Sequence, residues 1–258
     1  MNKSPVIVII QARMGSSRLP GKVMMDIAGH PMLWHVVNRV LCSKLKDRVM
    51  VATTTELQDD QIEQFCAASD VACFRGSSDD VLDRYYQAAS SVGAGAVVRI
   101  TADCPLVDPE VIDMVVGVYE SGTFSYVSNV NPPTYPDGLD TEVFSMEALK
   151  MAWSEAVLRS DREHVTPYLR KNREKFLSAN VTNSTDLSPM RWTVDQQEDL
   201  DFVREVYRLL GTGHFPMDVV VDLFRKNPQL TGINTGIVRN EGFLKSLAMD
   251  HQMEARKS

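Results

Sequence analysis

The sequence has no long hydrophobic run. Its longest purely aliphatic N-terminal stretch, Val6–Ile10, is far shorter than a membrane span or a signal-peptide core, and Arg13 and Arg18 follow it closely. That excludes a membrane partner and leads to the expectation of a cytoplasmic protein. Cysteine is scarce: the four thiols, Cys42, Cys66, Cys73 and Cys104, form no C-x-x-C pair and lie in apolar company. Buried thiols are therefore expected rather than a disulfide or zinc framework. The five histidines supply no H-E-x-x-H spacing, and Glu163-His164 is a lone neighbour pair. With only 14 Gly and 12 Pro, the chain is neither collagenous nor disordered. An excess of positive charge is also missing, since 27 Lys+Arg stand against 34 Asp+Glu for a net charge of −7. A nucleic-acid partner is excluded on that ground, and any polyanionic ligand must be held by a local basic cluster.

What is present is a chain of 258 residues, 44% hydrophobic and 24% charged, long enough to bury a sizeable core. Its first half alternates short β-branched runs with longer amphipathic stretches, the pattern of βαβ units in a mostly parallel sheet. Strands are expected at Pro5–Ile10, Arg48–Thr53, Val71–Phe74 and Ala96–Thr101, with helices opening near Pro31 and covering Asp59–Ala68, Asp79–Ser91 and Pro109–Glu120. Asn129–Pro136, with three prolines, reads as a loop. Beyond it we expect strands Thr141–Phe144, Phe176–Val181 and Met190–Val194. Helices are expected at Ser145–Ala156, Asp161–Arg170 and near 197–210, 216–226 and 240–255. Nothing splits the chain, so residues 1–258 read as one domain, with about 125–175 a candidate dimerisation arm of a homodimer.

Three segments carry chemistry. Gln11-Ala-Arg-Met-Gly-Ser-Ser-Arg-Leu-Pro-Gly-Lys22 follows the first strand, where open α/β sheets bind ligands. It offers backbone N–H groups around Gly15 and Gly21 together with Arg13, Arg18 and Lys22, three cations that suit a triphosphate. It is not a Walker A loop, because the Gly15 to Gly21 spacing is one residue too long and Val23 stands where a Ser/Thr would ligate magnesium. The competing reading is a solvated basic turn. In the second segment an apolar strand ends in Asp103, followed by Cys104 and Pro105, which places a carboxylate at the same sheet edge. It could hold a divalent cation against phosphate oxygens or cap the next helix, although Asp108 before Pro109 is the better-placed cap. The third, Arg191-Trp-Thr-Val-Asp195, again ends in a carboxylate, and here helix capping competes strongly. Asp137–Glu142 has turn chemistry and could line a substrate pocket.

Taken together, Ile9–Lys22, Gly29-His-Pro-Met32, Asp103-Cys-Pro-Leu106 and Val194-Asp-Gln-Gln-Glu-Asp-Leu200 resemble the sugar-acid cytidylyltransferases, among them the 3-deoxy-manno-octulosonate and acylneuraminate enzymes. Asp79–Tyr86, Asp137–Val143 and Ser160–Pro167 resemble more closely the spore-coat polysaccharide biosynthesis F branch. The resemblance implies an α/β nucleotide-diphospho-sugar transferase fold, Rossmann-like with a mostly parallel central sheet, that moves CMP from CTP and releases pyrophosphate. It implies that Arg13, Arg18 and Lys22 grip the triphosphate, with Gln11, Ala12, Gly15, Ser16, Arg84 and Asp103 also on the nucleotide. Arg13, Lys22 and Asp103 would be catalytic, and Asp103 and Asp195 would hold Mg2+. Gly138, Asp140 and Glu142 are the candidate contacts to a small anionic acceptor. The segments Asp137–Glu142 and Ser160–Pro167 do not belong to the octulosonate enzymes, so their sugar does not transfer with the resemblance.

The expected activity is thus cytidylyl transfer to an acidic sugar or similar acceptor for surface-glycan synthesis. Rival readings are a sugar-1-phosphate nucleotidyltransferase, whose first loop is richer in glycine than Ala12-Arg13, and a glycosyltransferase of the same fold, which would show a D-x-D motif where this chain has Asp103-Cys-Pro. An inactive nucleotide-binding scaffold is a rival of another class.

Overall fold

The computed structural model describes residues 4–255. The chain runs through β1 (Val6–Gln11), the small hairpin β2 (Asp26–Ile27) and β3 (His30–Pro31), α1 (Met32–Leu41), β4 (Arg48–Thr54), α2 (Asp60–Ala68), β5 (Ala72–Gly76), α3 (Val81–Ser91), β6 (Ala96–Thr101) and α4 (Pro109–Ser121). The second half holds β7 (Tyr126–Ser128), β8 (Glu142–Ser145), α5 (Met146–Glu155), α6 (Arg159–His164), α7 (Pro167–Lys171), β9 (Ser178–Asn180), α8 (Gln197–Leu210), α9 (Met217–Lys226) and α10 (Glu241–Ala255).

Seven strands form one sheet in the order β5-β4-β1-β6-β8-β7-β9. Among them β8 runs against its neighbours β6 and β7, while the pairs β1–β4, β1–β6, β4–β5 and β7–β9 are parallel. The reason lies in β1: it is apolar without alternation because both faces are covered. Val6, Val8 and Ile10 face a core shared with α1, α2 and α4, whereas Ile7 and Ile9 face α3 and α5. Burying each such side chain contributes about 1.5–3 kcal/mol. A third core gathers Ile27, Trp192, Val194, Phe202 and Phe224 where α8 and α9 close over the carboxyl end of the sheet. The ends of β1 and β6 lie side by side there, Gln11 opposite Thr101, so the loops that follow them must meet.

Several expectations are corrected. Met190–Val194 is not a strand: it makes a single bridge, Arg191 to Asp137, and its backbone groups bond loops distant in the chain rather than a neighbouring strand. Trp192 N–H donates to Asp137 O at 2.6 Å and Val194 N–H to Asp103 O at 2.8 Å. The helix expected over Asp161–Arg170 is two short helices, broken where Val165 takes φ +70°, ψ −55° and Pro167 brings no N–H. Phe176–Val181 shortens to β9, and β7 was not expected at all. Of the thiols, Cys66 and Cys104 are buried, but Cys42 is exposed and Cys73 half-buried.

Candidate active site

The loop after β1 is held from below by a carboxylate that the sequence did not single out. Buried Asp59 accepts from Met14 N–H at 2.7 Å and from the Thr54 hydroxyl, which fixes the chain as it leaves β1. Gly21 then turns back with φ +73°, its N–H on Met14 O at 2.9 Å, a conformation that favours glycine. The turn delivers Lys22 into the interior at 7% exposure.

There the Lys22 ammonium uses all three of its donors. Nζ bonds Asp103 Oδ2 at 2.8 Å, Asp195 Oδ1 at 2.9 Å and Val194 O at 2.8 Å. Two carboxylates thus face one another across a single cation. Burial pushes the Asp103 carboxyl up, but Lys22 and the Thr101 hydroxyl, 2.5 Å away, more than offset it and bring its pKa down to about 2. For Lys22 burial acts downward, and the two carboxylates overcome it to raise its pKa.

Neither carboxylate caps a helix. Asp108 caps α4 through Glu110 N–H at 2.8 Å, and Asp199 receives the N–H groups of Asp195 and Gln196 at the start of α8, at 2.9 and 3.0 Å. Asp195 is left to bind cations: Lys22, Arg18 NH2 at 2.7 Å and Arg191 NH2 at 3.1 Å. These two carboxylates are hard oxygen donors converging on one point, and no third His, Cys, Asp or Glu joins a metal-holding group among the described residues. That donor set fits Mg2+, which is commonly held by one or two carboxylates with phosphate and water completing its shell.

A cavity of about 280 Å3 opens over this point, with Gln11, Arg13, Ser16, Arg18, Lys22 and Asp103 on its wall. Arg13 is exposed and makes no ion pair or side-chain hydrogen bond among the described residues. Ala12 and Gly15 do not line it: Ala12 is buried with its N–H on Ala52 O at 3.1 Å. Arg84 lies fully buried behind the wall, where NH1 donates to Ser77 O at 2.7 Å and Nε and NH2 find no acceptor.

A second cavity of about 200 Å3 adjoins the first and shares Arg18, Arg99, Asp103 and His164 with it. Asp140 and Asp137 stand on its wall, Asp140 paired with Arg239 NH2 at 2.6 Å and Asp137 with Arg191 NH1 at 3.0 Å. Burial raises the Asp140 carboxyl to about 7 despite Arg239. Glu142 sits deeper and pairs with Arg99 NH1 at 2.8 Å directly across the β6–β8 ladder. Gly138 is not on this cavity's wall. At φ +113° it presses on the backbone of Trp192 and Thr193, where a Cβ would come within 2.7 Å, so it packs two loops together beneath the cavity.

Two contributors were missed by the sequence reading. His164 borders both cavities, presented by a γ-turn in which Thr166 N–H bonds His164 O at 2.8 Å around the positive φ of Val165. A β-branched residue there is strained, and such strain marks functional sites. The second is α10, which covers the site: Glu241 pairs with Arg18 NH1 at 2.8 Å, Ser246 Oγ bonds Glu163 at 3.0 Å, and Asp250 receives the N–H groups of Arg159 and Ser160. An N-terminal cap supplied 90 residues later carries no local sequence signal.

The profile of the cytidylyltransferase family matches residues 7–217, which takes in every element from β1 to α8. The chain belongs to this family. It is a nucleotidyltransferase that uses CTP. A solved cytidylyltransferase from Leptospira borgpetersenii superposes with a TM-score of 0.86 at 33% identity, covering 92% of this chain and all of that one. The spore coat polysaccharide biosynthesis protein SpsF of Bacillus subtilis is 31% identical over 86% of this chain and 95% of its own length. A 3-deoxy-manno-octulosonate cytidylyltransferase of Anaeromyxobacter dehalogenans is 40% identical, but over 45% of this chain and 48% of its own. In this cytidylyltransferase, α9 begins at the last matched residue and α10 lies beyond the match, although α10 closes the site. No helix among the described residues is long and apolar enough to cross a membrane.

Proposed function

We propose that the protein transfers CMP from CTP to a small anionic acceptor, an acidic sugar or similar compound, and releases pyrophosphate, in the cytoplasm and in service of surface-polysaccharide synthesis. The observation that carries this reading is Lys22 holding Asp103 and Asp195 face to face at the base of a cavity walled by Arg13 and Arg18. The octulosonate relative supports a sugar-acid acceptor and SpsF a role in polysaccharide synthesis.

In the proposed reaction an acceptor oxygen bonds to the α-phosphorus as the bond to the β-phosphate oxygen breaks, so charge builds on the departing pyrophosphate. Arg13, free of protein partners, and Arg18, held by two carboxylates at the cavity edge, are the groups placed to receive it. Lys22 is fully engaged, so its role is to fix the two carboxylates in register rather than to reach out to phosphate. Asp103 and Asp195 would hold magnesium, which neutralises phosphate charge and polarises the α-phosphoryl group when bound. Arg84, fully buried behind the cavity wall, backs the nucleotide pocket and adds positive charge beneath it rather than touching the base. On the acceptor side Asp140, on the wall of the second cavity, and Glu142, beyond it, flank the place where the hydroxyl would lie. Little covalent chemistry falls to the protein, and catalysis is mainly positioning and charge neutralisation. Pyrophosphate release with each nucleoside triphosphate across a panel of sugar acids tests the proposal.

A further inference from the structure

Helix α10 is pinned to α6 along one face and turns another toward the loop after β1. Ser246 Oγ bonds Glu163 at 3.0 Å and lies 3.0 Å from His164 Nε2, Phe243 meets the His164 ring edge-on at 5.2 Å, and Asp250 receives the N–H groups of Arg159 and Ser160. With about 3.6 residues to a turn, Phe243, Ser246 and Asp250 fall on this anchored side, and Glu241 and Lys245 share the other.

Lys245 borders the first cavity, together with Ser16, Ser17 and Arg18, and does not border the second. Its ammonium sits on Glu241 Oε1 at 2.6 Å, while the other oxygen of the same carboxylate holds Arg18 NH1 at 2.8 Å. One anionic group thus bridges two cations, one from the loop after β1 and one from α10. We propose that Lys245 is a phosphate-binding residue of the CTP site, and that the Glu241 carboxylate keeps the place of the phosphate that Arg18 and Lys245 jointly bind. The proposal rests on the nucleotide reading above and adds a ligand residue that lies outside the family match, which ends at residue 217.

A glutamate and lysine one helical turn apart also stabilise a helix by themselves. That does not account for the same carboxylate taking a partner 223 positions away, on the loop that faces the phosphates. Glu241 is charged at neutral pH, because the hydrogen bonds from Lys245 and Arg18 hold its carboxyl below the ordinary value, and it is half-buried, with solvent to turn into. A phosphate presents the same two oxygens to the two cations with more charge, so it displaces the carboxylate. Arg18 stays aimed at the cavity when Glu241 lets go, since Asp195 holds its NH2 at 2.7 Å. The acceptor approaches from the second cavity and Lys245 borders only the first, so the phosphates it meets are the two that leave as pyrophosphate. As they depart, Glu241 retakes both cations.

Calorimetric titration of the full chain with pyrophosphate, CTP, UTP and CMP, each with magnesium, tests the proposal on the wild type, Lys245→Gln, Lys245→Arg and Glu241→Gln. Lys245→Gln should weaken pyrophosphate and CTP about tenfold, as loss of a hydrogen bond to a charged group does, and leave CMP within about twofold. Lys245→Arg should recover most of that loss. Glu241→Gln should tighten pyrophosphate and CTP about threefold to fivefold, the scale of a partly exposed ion pair. Unchanged pyrophosphate affinity in Lys245→Gln, or CMP weakened as strongly as pyrophosphate, would overturn the proposal. So would a shift in the same direction in both glutamine variants, which is what loss of a helix-stabilising pair alone would give. Equal affinity for UTP and CTP with the Lys245 effect intact would count against the cytidine reading and leave this phosphate site standing.

Discussion

Lys22 and Asp195 are 173 positions apart in the chain, and in the fold Lys22 Nζ stands 2.9 Å from Asp195 Oδ1. With Asp103 on the same nitrogen at 2.8 Å, this contact joins the loop after β1, the loop after β6 and the turn into α8. Nearly every property expected of the site depends on that junction, so it is also where substitutions discriminate best.

Lys22→Met should cost stability as well as activity. Removing one member of a buried ion cluster leaves Asp103 without its cation and Asp195 with Arg18 and Arg191 alone, and breaking such a cluster commonly costs about 3–5 kcal/mol. Because the two carboxylates would then offer an open cation site, magnesium should raise the melting temperature of the variant more than that of the wild type. Thermal unfolding with and without magnesium measures both effects, and an equal magnesium response in the two proteins would contradict the account.

Arg13→Ala should behave in the opposite way. An exposed side chain with no protein partner contributes within about 0.5 kcal/mol to stability, whereas loss of a charge contact made in the transition state lowers turnover about 100- to 1,000-fold. Full activity in this variant would make the loop a solvated basic turn.

Asp103→Asn and Asp195→Asn keep side-chain size but remove the charge that a hard cation requires. Both should shift the magnesium dependence of pyrophosphate release to higher concentration. The cap of α8 rests on Asp199, so Asp195→Asn should retain its helix content by circular dichroism. A variant with wild-type metal dependence would mark its carboxylate as structural.

Asp140 sets a pH dependence with a definite sign. Its folded pKa, raised to about 7 chiefly by burial, lies above the ordinary carboxylate value near 3.9, so the fold prefers the protonated acid. Its contribution to stability is full below about pH 4 and is lost as pH rises through 7. The melting temperature of Asp140→Asn relative to wild type should therefore climb between pH 4 and 8, and a flat difference would refute the assignment.

Gly138→Ala tests packing against acceptor contact. A Cβ 2.7 Å from Thr193 N at φ +113° adds steric overlap to backbone strain, of order 1–3 kcal/mol. A lowered denaturation midpoint is expected, whereas unchanged stability with a raised acceptor KM would favour Gly138 as an acceptor contact.

The first four strands of the main sheet were legible because buried parallel strands are continuous apolar runs: Ala96–Thr101 matches β6 at both ends, and β1 is displaced by one residue. Asp103 and Lys22 were legible for a related reason, since carboxyl ends of such strands are where ligands bind. Met190–Val194 failed because its apolar pattern reflects packing of Trp192 and Val194 into the third core, not strand pairing. The break at Val165 and the contributions of Arg99, His164 and Glu241 have no local signature. They arise from a cross-strand pair, a strained turn and a helix that returns from the far end of the chain.

The most direct measurement of the central claim is pyrophosphate release by the purified protein with magnesium, each of the four ribonucleoside triphosphates and a panel of sugar acids matched with their neutral and phosphorylated counterparts. The account predicts release that requires CTP and a carboxylated acceptor together, with CMP recovered on the acceptor. Release with UTP equal to that with CTP, or CTP-dependent release with a sugar phosphate and none with any sugar acid, would contradict it.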